Sequence, residues 1–254
     1  MTTVTEVDPA TSDPQSSRFS AFLELGTLRL SSLAIFSVVA GYYLGTPTNI
    51  PVNLAVVVIA SLGSLLVAAG GNAFNMLMER EFDAQMARTK NTPLKRKTQL
   101  NTLVGAIPGA LPPVVGYAAA QGQLDRGALS LFLVLFFWQM PHFLAISWRL
   151  RKDYEAGGMK MLSVTDSFGD SVRRKMVIYT FALLFVSLLP YAVGLTGVVY
   201  LGVAFFLGLG FLVPVAWASL TRSEDAMKWS FLASIIYLPL LYLTMVLDRP
   251  LVTY

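Results

Sequence analysis

The chain is a succession of long apolar runs parted by short charged ones. Seven runs lie near Leu30–Leu44, Val52–Met78, Thr102–Ala120, Gly127–Trp148, Met176–Leu195, Val198–Leu220 and Trp229–Leu247. The runs are read as seven helices crossing ~30 Å of hydrocarbon. The third contains Pro108, Pro112 and Pro113 and reads as a broken helix; Pro141, Pro190, Pro214 and Pro239 each fall inside a later run. Membrane helices carry such prolines where neighbours or a cavity satisfy the freed carbonyls. Gly105 and Gly109 form one small-xxx-small pair of the kind that lets helices approach closely. The pattern predicts an all-α polytopic membrane helix bundle of about seven transmembrane helices. Residues 1–20 are polar and read as a disordered tail, and 21–254 as a single transmembrane domain.

Composition agrees with that reading. Of the 254 residues 55% are hydrophobic and 13% charged, where a soluble domain carries roughly 25% charged. Cysteine is absent, which excludes disulfides and thiolate chemistry, and a single histidine, His142, excludes a multi-histidine metal site within one chain. The tail lacks the basic start and short apolar core of a signal peptide.

A net charge of +4 raises the question of nucleic acid, and the placement of the charges answers it. All but two of the 19 Lys and Arg residues fall before the first run or in the connections after the second, fourth and sixth. The exceptions are Arg126 and Arg249. Basic residues gather on the cytoplasmic face of a membrane protein. The N-terminus and the large charged loops are therefore expected in the cytoplasm, the C-terminus across the membrane, and no nucleic-acid partner is expected.

The mouth of the second run holds the candidate chemistry. Asn75, Glu79 and Asp83 are spaced i, i+4, i+8 and share one helix face, with Asn72 a turn deeper near the same face. Carboxylates one turn apart repel, and a bound divalent cation removes the repulsion; hard oxygen ligands suit Mg2+, which usually arrives with substrate phosphates. Arg80, Arg88 and Lys90 follow, placed to neutralise phosphate charge. The plainer alternative is a helix end with solvated charges. Against it stand the two asparagines inside the apolar run and a second acidic cluster on the same side. That cluster is Asp153, Tyr154 and Glu155 after the fourth run, with Asp166 and Asp170 later in a loop of some 25 residues that reads as a lid. His142 lies beside Gln139 and Pro141, either packing between helices or lining a substrate cavity. Trp138, Phe143, Trp148 and Tyr154 are candidates to line a flat pocket, although aromatics in a span more often face lipid or core.

These stretches resemble a known family. "NAFNMLMEREFDAQMARTKN" is similar to the first acidic motif, N-x-x-x-D-x-x-x-D, of intramembrane aromatic prenyltransferases, with Glu79 at the first Asp. "TPLKRKTQLNTLVGAIPGALPPVVGY" and "WQMPHFLAISWRLRKDYEAGGMKML" resemble one branch, the protohaem IX farnesyltransferases, and the likeness covers roughly residues 22 to 247. It implies a helical bundle around a central cavity, in the cell inner membrane, that binds farnesyl diphosphate and protohaem IX. Asn75, Glu79, Asp83 and Asp153 would hold Mg2+ and diphosphate. Arg29, Arg88, Lys90, Lys152 and Tyr154 would support the substrates, and His142 would belong to the haem side. The product, haem O, serves terminal oxidases, so haem A synthase and oxidase assembly proteins fall among the expected partners.

The sequence also departs from the family. Members usually have nine spans, and two helices part their R-T-x-x-R-P and Y-T-P-L-K-R-x-T motifs. Here Arg88-Thr89-Lys90-Asn91 runs straight into Thr92-Pro93-Leu94-Lys95-Arg96-Lys97-Thr98, as if the pair between were absent. Thr92 replaces the second Arg of the first of these motifs, and only Arg29 remains of K-P-R near the first run. Three other readings therefore stand beside the transferase: an impaired paralogue that binds haem or prenyl lipid and assists oxidase assembly, a prenyltransferase with another ring acceptor, and a transporter. The "WQMPHF" stretch favours haem as acceptor, and clustering of the acids at one face speaks against transport.

Overall fold

The structure, a computed structural model, describes residues 28–67, 106–156, 162–166 and 168–250. The expected tail and the whole first acidic motif lie outside the described residues. Those described are helical, with no strand among them. In chain order the helices are α1 (Leu28–Gly45), α2 (Leu54–Val67), α3 (Pro112–Gln121), α4 (Arg126–Arg149), α5 (Arg151–Ala156), α6 (Leu162–Thr165), α7 (Asp170–Val186), α8 (Leu189–Ala192), α9 (Val198–Thr221) and α10 (Glu224–Leu247).

Their ends follow local chemistry. Asn53 Oδ1 accepts from Ala55 N at 3.1 Å and starts α2. Asp125 Oδ1 accepts from Gly127 N at 2.8 Å and Ala128 N at 3.1 Å and starts α4. Ser223 Oγ does the same for Ala226 N at the head of α10, at 3.4 Å. The third run is broken as its prolines predict. A helical turn at 106–109 stops, and α3 restarts on Pro112 and Pro113 at its first positions, where a missing N–H costs nothing. Pro141, Pro214 and Pro239 lie within α4, α9 and α10. Pro190 lies inside the fifth span, 170–192, as expected, and the helix is interrupted there: α7 stops at Val186 and Pro190 stands at the start of the short α8. Two spans also begin earlier than their apolar runs, because Asp170-Ser171-Val172-Arg173-Arg174-Lys175 is the first part of α7 and Glu224 and Asp225 form the first turn of α10.

α4, the 170–192 stretch, α9 and α10 are each long and apolar enough to cross a membrane, and the apolar helices 33–45 and 54–67 are shorter. Packing joins them into two four-helix rings. α4, α7, α9 and α10 contact one another in that cyclic order, and so do α1, α3, α4 and α10. The α4–α10 seam is common to both. In the first ring each helix packs against the next in sequence; Arg222 and Ser223 alone part α9 from α10, whereas the α4–α7 connection carries α5 and α6. In the second, glycines set the approach of α1 to α3: a Cβ on Gly41 would strike the Pro113 backbone, and one on Gly116 the Val38 backbone.

The outer faces are apolar. Phe206, Leu220 and Leu247 are 72%, 84% and 76% exposed. Helices apolar all round fit a lipid surround, not water. Inside, several serine hydroxyls bond to their own helix, as in Ser130 Oγ to Gly127 O at 2.7 Å and Ser230 Oγ to Ala226 O at 2.8 Å.

Candidate functional site at the α4–α10 seam

The two ends of the bundle differ. At one end lie the N-termini of α7 and α10 and the C-termini of α4 and α9, with Arg149, Arg151, Lys152, Arg173, Arg174, Lys175, Arg222 and Lys228. Arg126 and Arg249 stand at the other. There Asp248 closes the bundle by accepting from Tyr200 N at 2.6 Å, and Arg249 donates to Tyr43 O at 2.6 Å. The described parts of the charged connections after the fourth and sixth runs are thus at one end of the molecule.

Trp148 organises the basic end. It is buried, and its indole N–H is shared between the two Glu224 carboxylate oxygens, each at 3.2 Å. Arg151 donates to the same carboxylate at 2.9 and 3.3 Å and lies over the Trp148 ring at 4.3 Å. Arg173 lies over that ring at 4.8 Å and donates to Phe168 O at 2.5 Å and Arg222 O at 3.3 Å. Gly169, with φ of 72°, rests on the ring, where any Cβ would collide. Only a residue free to adopt positive φ without a side chain fits there. The turn that leads into α7 is therefore fastened to the end of α4, and the start of α10 with it.

One to two turns deeper, the seam carries His142. Its Nδ1 is 2.7 Å from Ser234 Oγ, and Trp138 Nε1 donates to Ser234 O at 2.8 Å. Trp138 and Phe231 stack on the imidazole at 4.7 and 5.3 Å between centroids. Arg149 covers Phe231 at 4.8 Å. A column thus runs down the seam from a guanidinium-rich end to an aromatic-walled imidazole. By helix rise, seven residues separate Arg149 from His142 by ~10 Å.

Several expected residues fall elsewhere. Asn72, Asn75, Glu79, Asp83, Arg88 and Lys90 lie outside the described residues. Arg29 is in the first turn of α1, and Lys152, Asp153 and Tyr154 are in α5, with Lys152 exposed. The expected lid loop is shorter than predicted, since α5 follows α4 after Leu150 alone and α7 begins at Asp170. Asp166 and Asp170 are occupied within the fold: Asp166 caps α7 through Ser171 N at 2.7 Å and Val172 N at 3.1 Å, and Asp170 pairs with Arg222 at 2.8 Å. No group of three or more acidic, His or Cys side chains able to hold a metal occurs among the described residues. Trp138 and Trp148 are buried in helix contacts and Phe143 is exposed, so these three do not form one pocket. An open apolar groove on α9, lined by Val198, Gly202, Val203 and Phe206, contains none of the expected site residues.

Comparison with known proteins places this architecture. The model of the UbiA prenyltransferase family matches residues 34–94 and 91–238. The chain belongs to the UbiA prenyltransferase family. Membership makes it a multi-pass membrane prenyltransferase, in keeping with its apolar helices. A protein named protoheme IX farnesyltransferase from Solibacter usitatus is 34% identical over 287 aligned positions, covering 90% of this chain and 98% of the relative. Proteins of the same name from Christiangramia forsetii and Myxococcus xanthus are 32% and 33% identical, covering 93% and 91% of this chain and 96% and 95% of their own. No solved structure matches the chain. An alignment of 287 positions exceeds the 254 residues available, so the Solibacter relative carries residues without a counterpart here. The two family matches meet at 91–94, where Asn91 abuts Thr92. The join of two motifs read from the sequence falls at that point.

The seam also holds residues that sequence reasoning missed. Ser234 and Glu224 bind His142 and Trp148 across 92 and 76 residues of chain. A lone serine within an apolar run, and an acid at its mouth, were the available signals.

Proposed function

We propose that this UbiA-family chain transfers the farnesyl group of farnesyl diphosphate to a vinyl group of protohaem IX, giving haem O. The observation that carries the reading is likeness to protoheme IX farnesyltransferases over nine-tenths of the chain and almost all of each relative. In the reaction the C1–O bond of farnesyl diphosphate breaks and diphosphate leaves with the electron pair. The vinyl carbon attacks the allylic carbon, water adds to the cation so formed, and a proton is lost. The donor set of Asn75, Glu79, Asp83 and Asp153 offers the hard oxygens that Mg2+ prefers. When bound, the ion would neutralise the charge of the departing diphosphate. Arg29, Arg88, Lys90, Lys152 and Tyr154 would add basic and hydrogen-bonding support, and Asn72 lies a turn deeper. His142, walled by Trp138 and Phe231, would face the tetrapyrrole. The basic end, in this reading, is cytoplasmic and the membrane the cell inner membrane, with residues 21–254 as one domain.

One observation favours a second reading. The relatives carry residues without a counterpart in this chain, and the family match is in two parts that meet at 91–94. A bundle short of two helices could bind haem or prenyl lipid without turnover and assist oxidase assembly. A single assay separates the two. Membranes containing the chain are supplied with protohaem IX, farnesyl diphosphate and Mg2+, and haem O is measured by chromatography. Product is expected, and it should vanish with chelator and in Asp83→Ala and Asp153→Ala. Absence of product from a correctly inserted chain would leave the binding role. Product with unchanged turnover in both variants would refute the acidic clamp.

A further inference from the structure

At the basic end, Arg151 and Glu224 meet edge to edge. Glu224 Oε1 accepts from Arg151 Nη2 at 2.9 Å and Oε2 from Arg151 Nη1 at 3.3 Å. Trp148 Nε1 donates to both oxygens at 3.2 Å. Arg151 Nη1 also donates to Trp148 O at 3.0 Å, and its guanidinium lies over the buried Trp148 ring at 4.3 Å. Each oxygen of Glu224 thus meets two N–H donors, so this carboxylate is committed within the fold and is no spare ligand for a metal.

The consequence of this fork is geometric more than energetic. The Arg151 and Glu224 side chains are 30% and 54% exposed, and ion pairs in contact with water contribute little stability. α5, however, has six residues, too few to hold a helix or its direction alone. It follows α4 after Leu150 and packs on α4 and α6. Arg151 is its first residue, and Glu224 is the first residue of α10, 73 residues later. The fork therefore ties the start of α5 to a helix shared by both rings. A helix turns by ~100° per residue, so fixing position 151 fixes the directions of positions 152 and 153 about the α5 axis.

We propose that Glu224 is a positioning residue for the prenyl diphosphate: through Arg151 and Trp148 it holds α5 at the angle from which Asp153 serves the diphosphate and its Mg2+. The inference rests on the farnesyl-transfer reading above and adds to it a residue of α10 that acts through another helix. A carboxylate is required for this. An amide at 224 would accept through one atom only and would turn its own N–H groups against the guanidinium and the indole. The fork would open, and α5 would be left to its own six residues. Loss of an outer partner of a metal-binding group weakens metal affinity or activity by about 10–100-fold.

The test measures Mg2+-dependent binding of farnesyl diphosphate to the full chain in lipid nanodiscs, alongside the haem O assay. Glu224→Gln is expected to melt as wild type does and to bind farnesyl diphosphate about tenfold more weakly. Its KM for farnesyl diphosphate should rise in step, with KM for protohaem IX unchanged. The sign of the change discriminates, because removing a negative charge from the basic end would by Coulomb attraction alone tighten binding of an anion. Asp225→Asn removes the same charge one residue away, from a side chain paired with Lys228, and should not weaken binding. Arg151→Ala combined with Glu224→Ala should lose about as much as either change alone, since each opens the same fork. Unchanged or tighter binding in Glu224→Gln, an equal rise in both KM values, or losses that multiply in the double variant would overturn the inference and leave the transferase reading standing. If wild type binds farnesyl diphosphate but forms no haem O, the transferase reading falls and the binding loss in Glu224→Gln decides the inference. Failure of wild type to bind farnesyl diphosphate at all would overturn both.

Discussion

Trp148 illustrates how one side chain can tie several segments together. Its indole N–H meets Glu224, and its ring carries Arg151, Arg173 and Gly169. The two contributions separate by substitution. Trp148→Phe removes the N–H and keeps a ring for the guanidiniums. Glu224 is half-exposed and keeps Arg151, so the loss should be about 1 kcal/mol. Trp148→Ala removes the ring from a buried site and should cost about 3–5 kcal/mol. Thermal unfolding in detergent would read both, and equal losses would show that the ring packing contributes little. The importance of Trp148 was legible as an aromatic at the end of a span, but its partners were not. Glu224 and Arg173 lie far along the chain, and no local spacing connects them. The acids Asp166 and Asp170 err the other way: as residue types they fit a metal site, yet the fold uses them to cap α7 and to pair Arg222.

At the scale of elements, the spans were readable because burial in hydrocarbon demands unbroken apolar runs. Their boundaries were less so. Hydropathy sees only the part of a helix within the apolar slab, whereas backbone hydrogen bonding carries α7 back through Arg173, Arg174 and Lys175 to Asp170. The prolines of the third run did announce its break, since two adjacent prolines can only begin a helix, not continue one. Close contact between α1 and α3 depends on something subtler, the absence of side chains. Gly116→Ala sets a methyl against the Val38 carbonyl and Tyr42 amide, which are backbone and cannot rotate away. The two helices must then part, at a cost of about 1–3 kcal/mol. Gly202→Ala on α9 meets nothing within 4 Å and should leave stability unchanged or slightly raised. A melting comparison of the two variants checks whether glycine matters by location or merely as a helix-weakening residue, in which case both alanines would stabilise.

For the whole molecule, the governing feature is the asymmetry of its two ends. Positive charge collects where the C-termini of α4 and α9 meet the N-termini of α7 and α10, and among the described residues the opposite end keeps only Arg126 and Arg249. The count of spans between charged connections led to this sidedness from sequence, and the antiparallel packing of α4, α7, α9 and α10 gives it a physical form. Loss of an antiparallel helix pair near Asn91, as the sequence reading expects, would leave the sense of every later helix unaltered, because a pair returns the chain to the side it left. The seam and its column of Arg149, Phe231, His142 and Ser234 would thus keep their orientation in the membrane although the relatives carry residues that this chain lacks. The chain contains no cysteine, so any introduced thiol is unique. Gln123, in the exposed turn between α3 and α4, and Glu155, exposed on α5, mark the two ends. On intact cells a membrane-impermeant maleimide should label Gln123→Cys, while Glu155→Cys should react only after permeabilisation. The reverse pattern would put the basic end outside, contrary to the rule that basic loops stay in the cytoplasm, and would remove the proposed site from contact with cytoplasmic farnesyl diphosphate.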